Sequence, residues 1–396
     1  MTKNSIEVGP VTDEKEARTV IDIVSHALFF THFDLNQWVE REGLENFRAA
    51  RRNGQTIGGY TVQRMGHWFG GRSIPTGGIR AVGVAAEHRS GGVGAEMMRS
   101  AIRELHRDNI PLATLYPATQ TVYRRAGFEV AGVRMAYKMA TRDIDARGPM
   151  LPIRPALDAD HAAMREVYQR VARVTSGNLD RSDWMWHRIL NPPPWMPSVS
   201  VNLVEREGVC EGYIVVGHKI GATPLDVRLD INDVAVTSGD ALRRLLGFVA
   251  DHRSVARDVR WVGGPANGSE LVLTEQLFTH DERMDWMLRI VDVVAALEQR
   301  GYPKGLTAEL HLEVRDDVIA ENNRKFLVEI ADGRAIVREG GRGGLSVHIR
   351  GLASLYSGMF SPQPLCNAGL LQGSDEDFSI ASAVFAGPTP WMVDFF

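Results

Sequence analysis

Between Val82 and Leu105 the chain reads VGVAAEHRSGGVGAEMMRSAIREL. An apolar V-x-V run stops, the chain turns through Gly91, Gly92 and Gly94, and an amphipathic helix begins. The helix would bury Val93, Met97, Met98, Ala101, Ile102 and Leu105 along one face. Few architectures accept a strand that runs through glycines straight into a helix. An α/β layer is the natural one, with the turn at the end of the strand. Glycines let successive N–H groups approach a ligand, and a helix N-terminus adds unpaired donors and partial positive charge. The combination is a cradle for phosphate. A P-loop is excluded because no G-K-[ST] follows, and a dinucleotide fingerprint because G-x-G-x-x-G is absent.

The rest of the chain bounds the setting. Its 396 residues suggest two to three domains, and 44% hydrophobic with 24% charged residues is ordinary for a folded protein. A formal charge of −4 argues against a polyanionic partner, so nucleic acid is not expected. Cys210 and Cys366 make neither a disulfide framework nor a metal cluster, which fits a reducing cytoplasm, and no metal is expected. The N-terminal MTKNSIEVGPVTDEKEAR is too charged for a signal peptide. No apolar run approaches the ~18 residues of a membrane span. A cytoplasmic location is expected, with secretion by an unread route left open.

Periodicity divides the chain in three. The first segment has a strand at Ile6–Val8, a helix through Ala17, Ile21, Val24 and Leu28, and strand-like runs at 54–63 and 78–84. The helix 94–108 follows, then the buried strand LATLYPA, a short helix over TVYRRAGF and an alternating run to Met139. TRDIDARGPMLPIRP, from Thr141 to Pro155, reads as a linker. The pattern then partly restarts. LDINDVAVTSGDALRRLLGFVADH repeats the strand–turn–helix shape with most of its glycines gone, as a duplication would leave it. The last segment opens near Met284 with a helix over DWMLRIVDVVAALEQRG. Strand-like runs AELHLEVRD, RKFLVEIADG, RAIVREG and LSVHIRG follow, then helices, as a separate α+β unit.

The spacing R-x-x-G-x-G, with Arg89, Gly92 and Gly94, resembles motif A of the GCN5-related N-acetyltransferases (GNAT). Tyr123, Gly127 and Phe128 resemble that superfamily's Y-x-x-x-G-F ending, in the right order. The full layout resembles the Eis family of bacterial N-acetyltransferases, whose last unit is similar to sterol carrier proteins. The fold class implied is α/β and α+β: two GNAT-like domains, the second degenerate, plus a sterol-carrier-protein-like C-terminal domain. The boundaries fall at 1–146, 147–284 and 285–396. The resemblance implies acetyl-CoA as co-substrate. Val82, Gly83 and Val84 would pair with its pantetheine arm. Ser90, Gly91, Gly92, Val93, Gly94 and Ala95 would hold its pyrophosphate, with Ala118 and Thr119 nearby. It also implies Tyr123 as general acid to the leaving thiolate, with packing as the alternative role for that ring. Tyrosine titrates near ~10 and carries its proton at neutral pH. A small-molecule amine acceptor such as an aminoglycoside, acetylation at several positions by direct attack through a tetrahedral intermediate, and a homohexamer follow from the same resemblance.

No side chain in the first segment stands out as a base. Glu87 and His88 adjoin the loop, and His26, His32 and Asp34 precede Trp38; Asp34 and Trp38 are candidate walls of an acceptor pocket, with Trp38 equally readable as core. The chain ends on WMVDFF. Either its rings dock for stability or docking also delivers the terminal carboxylate; the family resemblance implies the second, with the carboxylate of Phe396 as general base. An α-carboxyl group titrates near ~3.5, so it is ionised and acts weakly, through water and by attracting the amine cation. Some members of the family carry an acidic residue next to last. Here that position is Phe395 and the acid is Asp394, so acceptor range would differ. TSGDAL in the second segment has no G-x-G and reads as scaffold. Two other functions remain open: a protein lysine acetyltransferase, and a lipid- or protein-binding module on a vestigial fold.

Overall fold

The structure is a computed structural model and describes residues 5–30, 34–146, 148–193, 196–223, 226–266 and 268–396. Candidate His32 lies outside the described residues. In chain order the elements begin β1 (Glu7–Pro10), α1 (Glu14–Ala27), α2 (Leu35–Glu42), β2 (Phe47–Arg52), β3 (Gln55–Phe69), β4 (Arg72–Val84), α3 (Val93–Arg107), β5 (Leu112–Leu115), α4 (Gln120–Arg124) and β6 (Glu129–Ala140). Next come β7 (Ile153–Pro155), α5 (His161–Val174), β8 (Leu179–Asp180), α6 (Asp183–Leu190), β9 (Ser200–Arg206), β10 (Val209–Ile220), β11 (Val227–Val236), α7 (Gly239–Ala250), β12 (Asp258–Gly263) and β13 (Thr279–Ile290). The remainder is α8 (Val293–Gln299), β14 (Ala308–Arg315), β15 (Lys325–Ala331), β16 (Arg334–Glu339), β17 (Leu345–His348), α9 (Ile349–Ser357), α10 (Pro362–Asn367), β18 (Leu371–Gln372) and α11 (Asp375–Val384). Among the described residues no helix is long and apolar enough to cross a membrane.

The chain forms two compact units. The first holds residues 1–132, 285–388 and Phe396; the second holds 133–284 and 389–395. In the first, β1, β2, β3 and β4 are antiparallel neighbours, β4 pairs β5 in parallel, and β5 pairs the end of β13 antiparallel. The apolar face of α3 buries Met97, Met98, Ile102 and Leu105 against Ile57, Tyr60, Val62 and Leu115. α1 covers the sheet's other face with Val20, Ile21 and Val24, together with Trp38, Val39 and Phe47.

This unit also contains the five-stranded sheet β16-β15-β14-β17-β18 and its helices. They join the N-terminal sheet through polar pins. Arg350 and Arg124 both bind Glu129, Ser354 Oγ donates to Val130 O at 2.6 Å, and Arg289 pairs with Asp316 at 2.7 Å. Gly70 and Gly301 meet backbone to backbone, and Gly301 N donates to Phe69 O at 3.1 Å. A side chain at either glycine would strike the other's carbonyl.

The second unit repeats the plan. β12 pairs β6, β11 pairs β12 in parallel, and β10, β9 and β7 follow antiparallel. α7 packs Ala241, Leu245 and Val249 on it.

Three sequence expectations need correction. The helix expected over 285–301 is strand β13 as far as Ile290, and only Val293–Gln299 is helical. Met287 to Ile290 pair with β5 and are buried on both faces, so the run is apolar without period. LSVHIRG is strand only to His348, after which α9 starts. Trp38 lies on a separate helix, α2.

Candidate active site

The site grows from an irregularity in β4. Gly59 pairs with Gly83 and Thr61 with Arg80, so Ala81 and Val82 together oppose Tyr60. That is a β-bulge, and Ala81 takes the left-handed conformation at φ 51° to make it. A bulge bends its strand. The parallel pairing of β4 with β5 runs Thr76–Leu112, Gly77–Ala113 and Gly78–Thr114 and then stops. Beyond it the strand ends diverge, leaving the backbone of 79–84 unpaired on that side. Val82, Gly83 and Val84 are the last residues of this free edge. Gly83 is needed there because α1 crosses closely: a Cβ would stand 2.8 Å from Val24 Cα.

The glycine turn follows. Ser90 and Gly92 are left-handed, at φ 64° and 77°, and Gly92 caps α3 without any side-chain hydrogen bond. Among the described residues, no protein acceptor takes the backbone N–H groups of Ser90, Gly91, Gly92, Val93, Gly94 or Ala95. Nothing lies within 4 Å of where a Cβ at Gly92 would be, so the approach is open. Gly94 lets α4 come close, with Val122 Cγ1 at 3.4 Å from its absent Cβ. Arg89 folds back, donating to Val84 O and Ala27 O at 3.4 Å each. These donors fit a pyrophosphate, and the free strand edge fits an amide-bearing arm.

Ala118 and Thr119 are exposed between β5 and α4, with Thr119 at the N-terminal cap position of α4. Tyr123 on α4 is buried, with its ring edge-on to Phe128 at 6.2 Å. Burial pushes its hydroxyl up to about 12, and among the described residues the hydroxyl has no hydrogen-bond partner. It is a neutral donor awaiting an acceptor.

Phe396 is only 6% exposed and belongs to this first unit. Its ring stands edge-on to Tyr116 at 5.8 Å, and its Cε2 lies 3.1 Å from the Cβ position of Gly78. Gly78 is where the β4–β5 pairing ends, so the last residue of the chain sits at the point of divergence.

The other candidates fall elsewhere. Asp34 is exposed and caps α2, its Oδ1 accepting from Asn36 N at 2.9 Å and Gln37 N at 3.2 Å. Trp38 packs in the core beneath α1, with Phe30 at 5.8 Å between ring centroids. Glu87 faces solvent, His88 is half-buried, and His26 is 79% exposed beside Asp22. Asp394 is only 4% exposed. It is buried in the second unit, where it binds Arg181 at 2.9 Å and accepts from Tyr168 at 3.2 Å. Sequence reasoning missed the bulge at Ala81, the contact of Gly78 and Tyr116 with Phe396, and Arg52, whose guanidinium adjoins Gly91. None has a local pattern; each depends on pairing across the sheet.

Known proteins resemble this chain over most or all of its length. Residues 10–131 and 177–290 each match the acetyltransferase (GNAT) domain family, and residues 293–393 match the sterol carrier protein domain family. A solved GCN5-related N-acetyltransferase from Anabaena variabilis is 36% identical, covers 99% of this chain and 100% of its own, and superposes with a TM-score of 0.94. An uncharacterized N-acetyltransferase from Streptomyces griseus is 27% identical over 355 residues, 83% of each chain. N-acetyltransferase Eis of Mycobacterium tuberculosis is 26% identical over 342 residues, 80% of this chain and 79% of its own. The chain therefore belongs to the GCN5-related N-acetyltransferases, as an Eis-like acyltransferase with two acetyltransferase-type domains and a sterol-carrier domain.

Proposed function

We propose that the protein transfers acetyl from acetyl-CoA to amines of aminoglycosides and similar polyamines, at more than one position, with Tyr123 as general acid and the Phe396 carboxylate as general base. One observation carries the reading: Phe396 packs at Gly78, where β4 and β5 part, beside the strand edge that leads to the open N-terminus of α3. A base is needed at that end, because an alkyl amine is mostly protonated at neutral pH. The carboxylate attracts the cation and takes a proton through water. The neutral amine attacks the thioester carbon, the C–S bond breaks, and the Tyr123 hydroxyl protonates the leaving sulfur. The phenolate regains its proton through solvent from the carboxylic acid, leaving an amide and a free thiol.

The loop Ser90–Ala95 holds the pyrophosphate, Val82–Val84 the pantetheine arm, and Ala118 and Thr119 border the cofactor. Asp34, at the cap of α2, borders the acceptor, and Trp38 on α2 backs it from the core. Support for that side comes from α1, which crosses β4 at Gly83 and leads into α2. The same reading takes the chain as three domains, 1–146, 147–284 and 285–396, assembled as a homohexamer in the cytoplasm.

The test compares turnover on an aminoglycoside panel for the intact chain, a chain lacking Phe396 and a chain extended past it. Both variants are expected to bind acetyl-CoA and to lose ~10²-fold or more in kcat. Survival of activity with a displaced carboxylate would show that the tail only packs. Turnover of peptide lysines with none of aminoglycosides would move the acceptor class to proteins.

A further inference from the structure

The strand β2 carries three arginines on the approach to its hairpin, and they are not treated alike. Arg48 reaches α3, with Nε and Nη2 binding Glu104 at 2.6–3.0 Å. Arg51 binds Glu16, its Nε donating to Oε1 at 2.6 Å and its Nη2 to Oε2 at 2.5 Å. Arg52, the last residue before the turn at Asn53-Gly54, has no ion pair and no hydrogen bond among the described residues. Its Nε is buried and unpartnered, so the stem is held while the charged end has no counter-charge. The end is directed at the glycine turn: a Cβ on Gly91 would stand 3.4 Å from Nη2 and 3.9 Å from Nη1. There the guanidinium lies beside a run of unfilled backbone donors.

A buried donor without an acceptor is costly, and a cation placed against a helix N-terminus of like partial charge is more so. Both costs vanish if an anion sits between them. The planar fork of Arg suits two oxygens of one phosphate. From this we infer that Arg52 is a donor-binding residue, contacting a phosphate group of the CoA moiety at the Gly91 turn. The inference rests on the reading of Ser90–Ala95 as the CoA site. CoA offers this chemistry twice, in its pyrophosphate and in its 3′-phosphate.

The experiment is calorimetric titration of the full chain with CoA and with 3′-dephospho-CoA, for the wild type, Arg52→Gln and Arg52→Lys, with unfolding midpoints measured alongside. Arg52→Gln is expected to weaken CoA about tenfold or more, the loss of a charged hydrogen-bonding pair. The KM for acetyl-CoA should rise in step with that loss, and Arg52→Lys should recover part of the affinity. A similar loss with 3′-dephospho-CoA identifies the pyrophosphate as the partner. Loss with CoA alone identifies the 3′-phosphate. Wild-type affinity of Arg52→Gln for both ligands overturns the inference while leaving the loop assignment intact. Failure of the wild type to bind CoA would overturn both.

Discussion

The two acetyltransferase-type domains can be compared at the same two points. Each has a strand that bulges before running into a helix. In β4 the extra residue lies between Arg80 and Gly83; in β11 it is Asn232, between Ile231 and Asp233. Past the bulge the first domain has Gly83, and the second has Asp233, buried and bound to Arg181 at 2.7 Å. At the helix start the contrast recurs. α3 begins at a left-handed Gly92 with no side-chain cap. α7 begins at Ser238, whose Oγ accepts from Ala241 N at 3.1 Å and donates to Glu211 Oε2 at 2.6 Å. Asp240 adds a second carboxylate, and Arg206 binds both acids. The scaffold is shared; what differs is whether the helix start is left open or is capped by a side chain of the chain itself, with acids beside it. An anion site is lost not by unfolding the turn but by capping it.

The largest expected effect breaks the filled cleft. Arg181 lies between Asp233 and Asp394 and over the Tyr168 ring at 3.6 Å, all of it buried. Removing the shared cation leaves two buried acids uncompensated, so Arg181→Met should destabilise the second unit by about 3–5 kcal/mol. A urea titration followed by fluorescence of its tryptophans would read this. An unchanged midpoint would mean that the two acids do not depend on this cation.

Next is the reverse experiment on the open turn. Gly92→Asp puts a carboxylate at the cap position that Ser238 holds in α7, in a conformation that Asp tolerates at roughly 1–2 kcal/mol. Like charge against a phosphate costs several kcal/mol. Affinity for CoA should fall by ~10²-fold or more with a modest change in melting temperature. Near-normal binding would remove the Gly92 turn from the site.

The filled turn gives a smaller effect. Ser238→Ala removes the cap and should cost the second unit about 1 kcal/mol. CoA stoichiometry should remain one per chain, since Glu211 and Asp240 still stand there. A second equivalent bound by Ser238→Ala would show the repeat to be a masked site rather than a lost one.

Much of this contrast was readable from residues alone, because motif A and Y-x-x-x-G-F are local and the loss of glycines in TSGDAL is local too. What could not be read depends on partners far along the chain. β2 is missed because FRAARR is rich in arginine, yet Arg48 and Arg51 are neutralised by Glu104 and Glu16, 56 and 35 residues away. The burial of Asp394 is not legible either, because its partner Arg181 lies 213 residues earlier. β13 was misread because a strand covered on both faces loses the alternation that distinguishes it from a helix. The distance of Arg52 from a loop near residue 91 is likewise a property of the sheet, not of the sequence around it.

The last comparison is between a buried and an exposed setting for one acid, and its expected effect in the usual range is none. Burial raises Tyr123 to about 12, above the ordinary tyrosine value near ~10. A general acid acts in its protonated form, so activity should be lost only as pH rises through that value. An unshifted tyrosine would start to fail about two units earlier. From pH 7 to 10 the wild-type kcat should therefore show no falling limb from this group, while a rising limb reports deprotonation of the acceptor amine. Tyr123→Phe should lower kcat by ~10²-fold throughout, with the same rising limb. A wild-type falling limb near pH 10 that Tyr123→Phe abolishes would place the hydroxyl in water rather than in the apolar wall against Phe128. A variant with undiminished kcat would return Tyr123 to packing and require another donor for the thiolate.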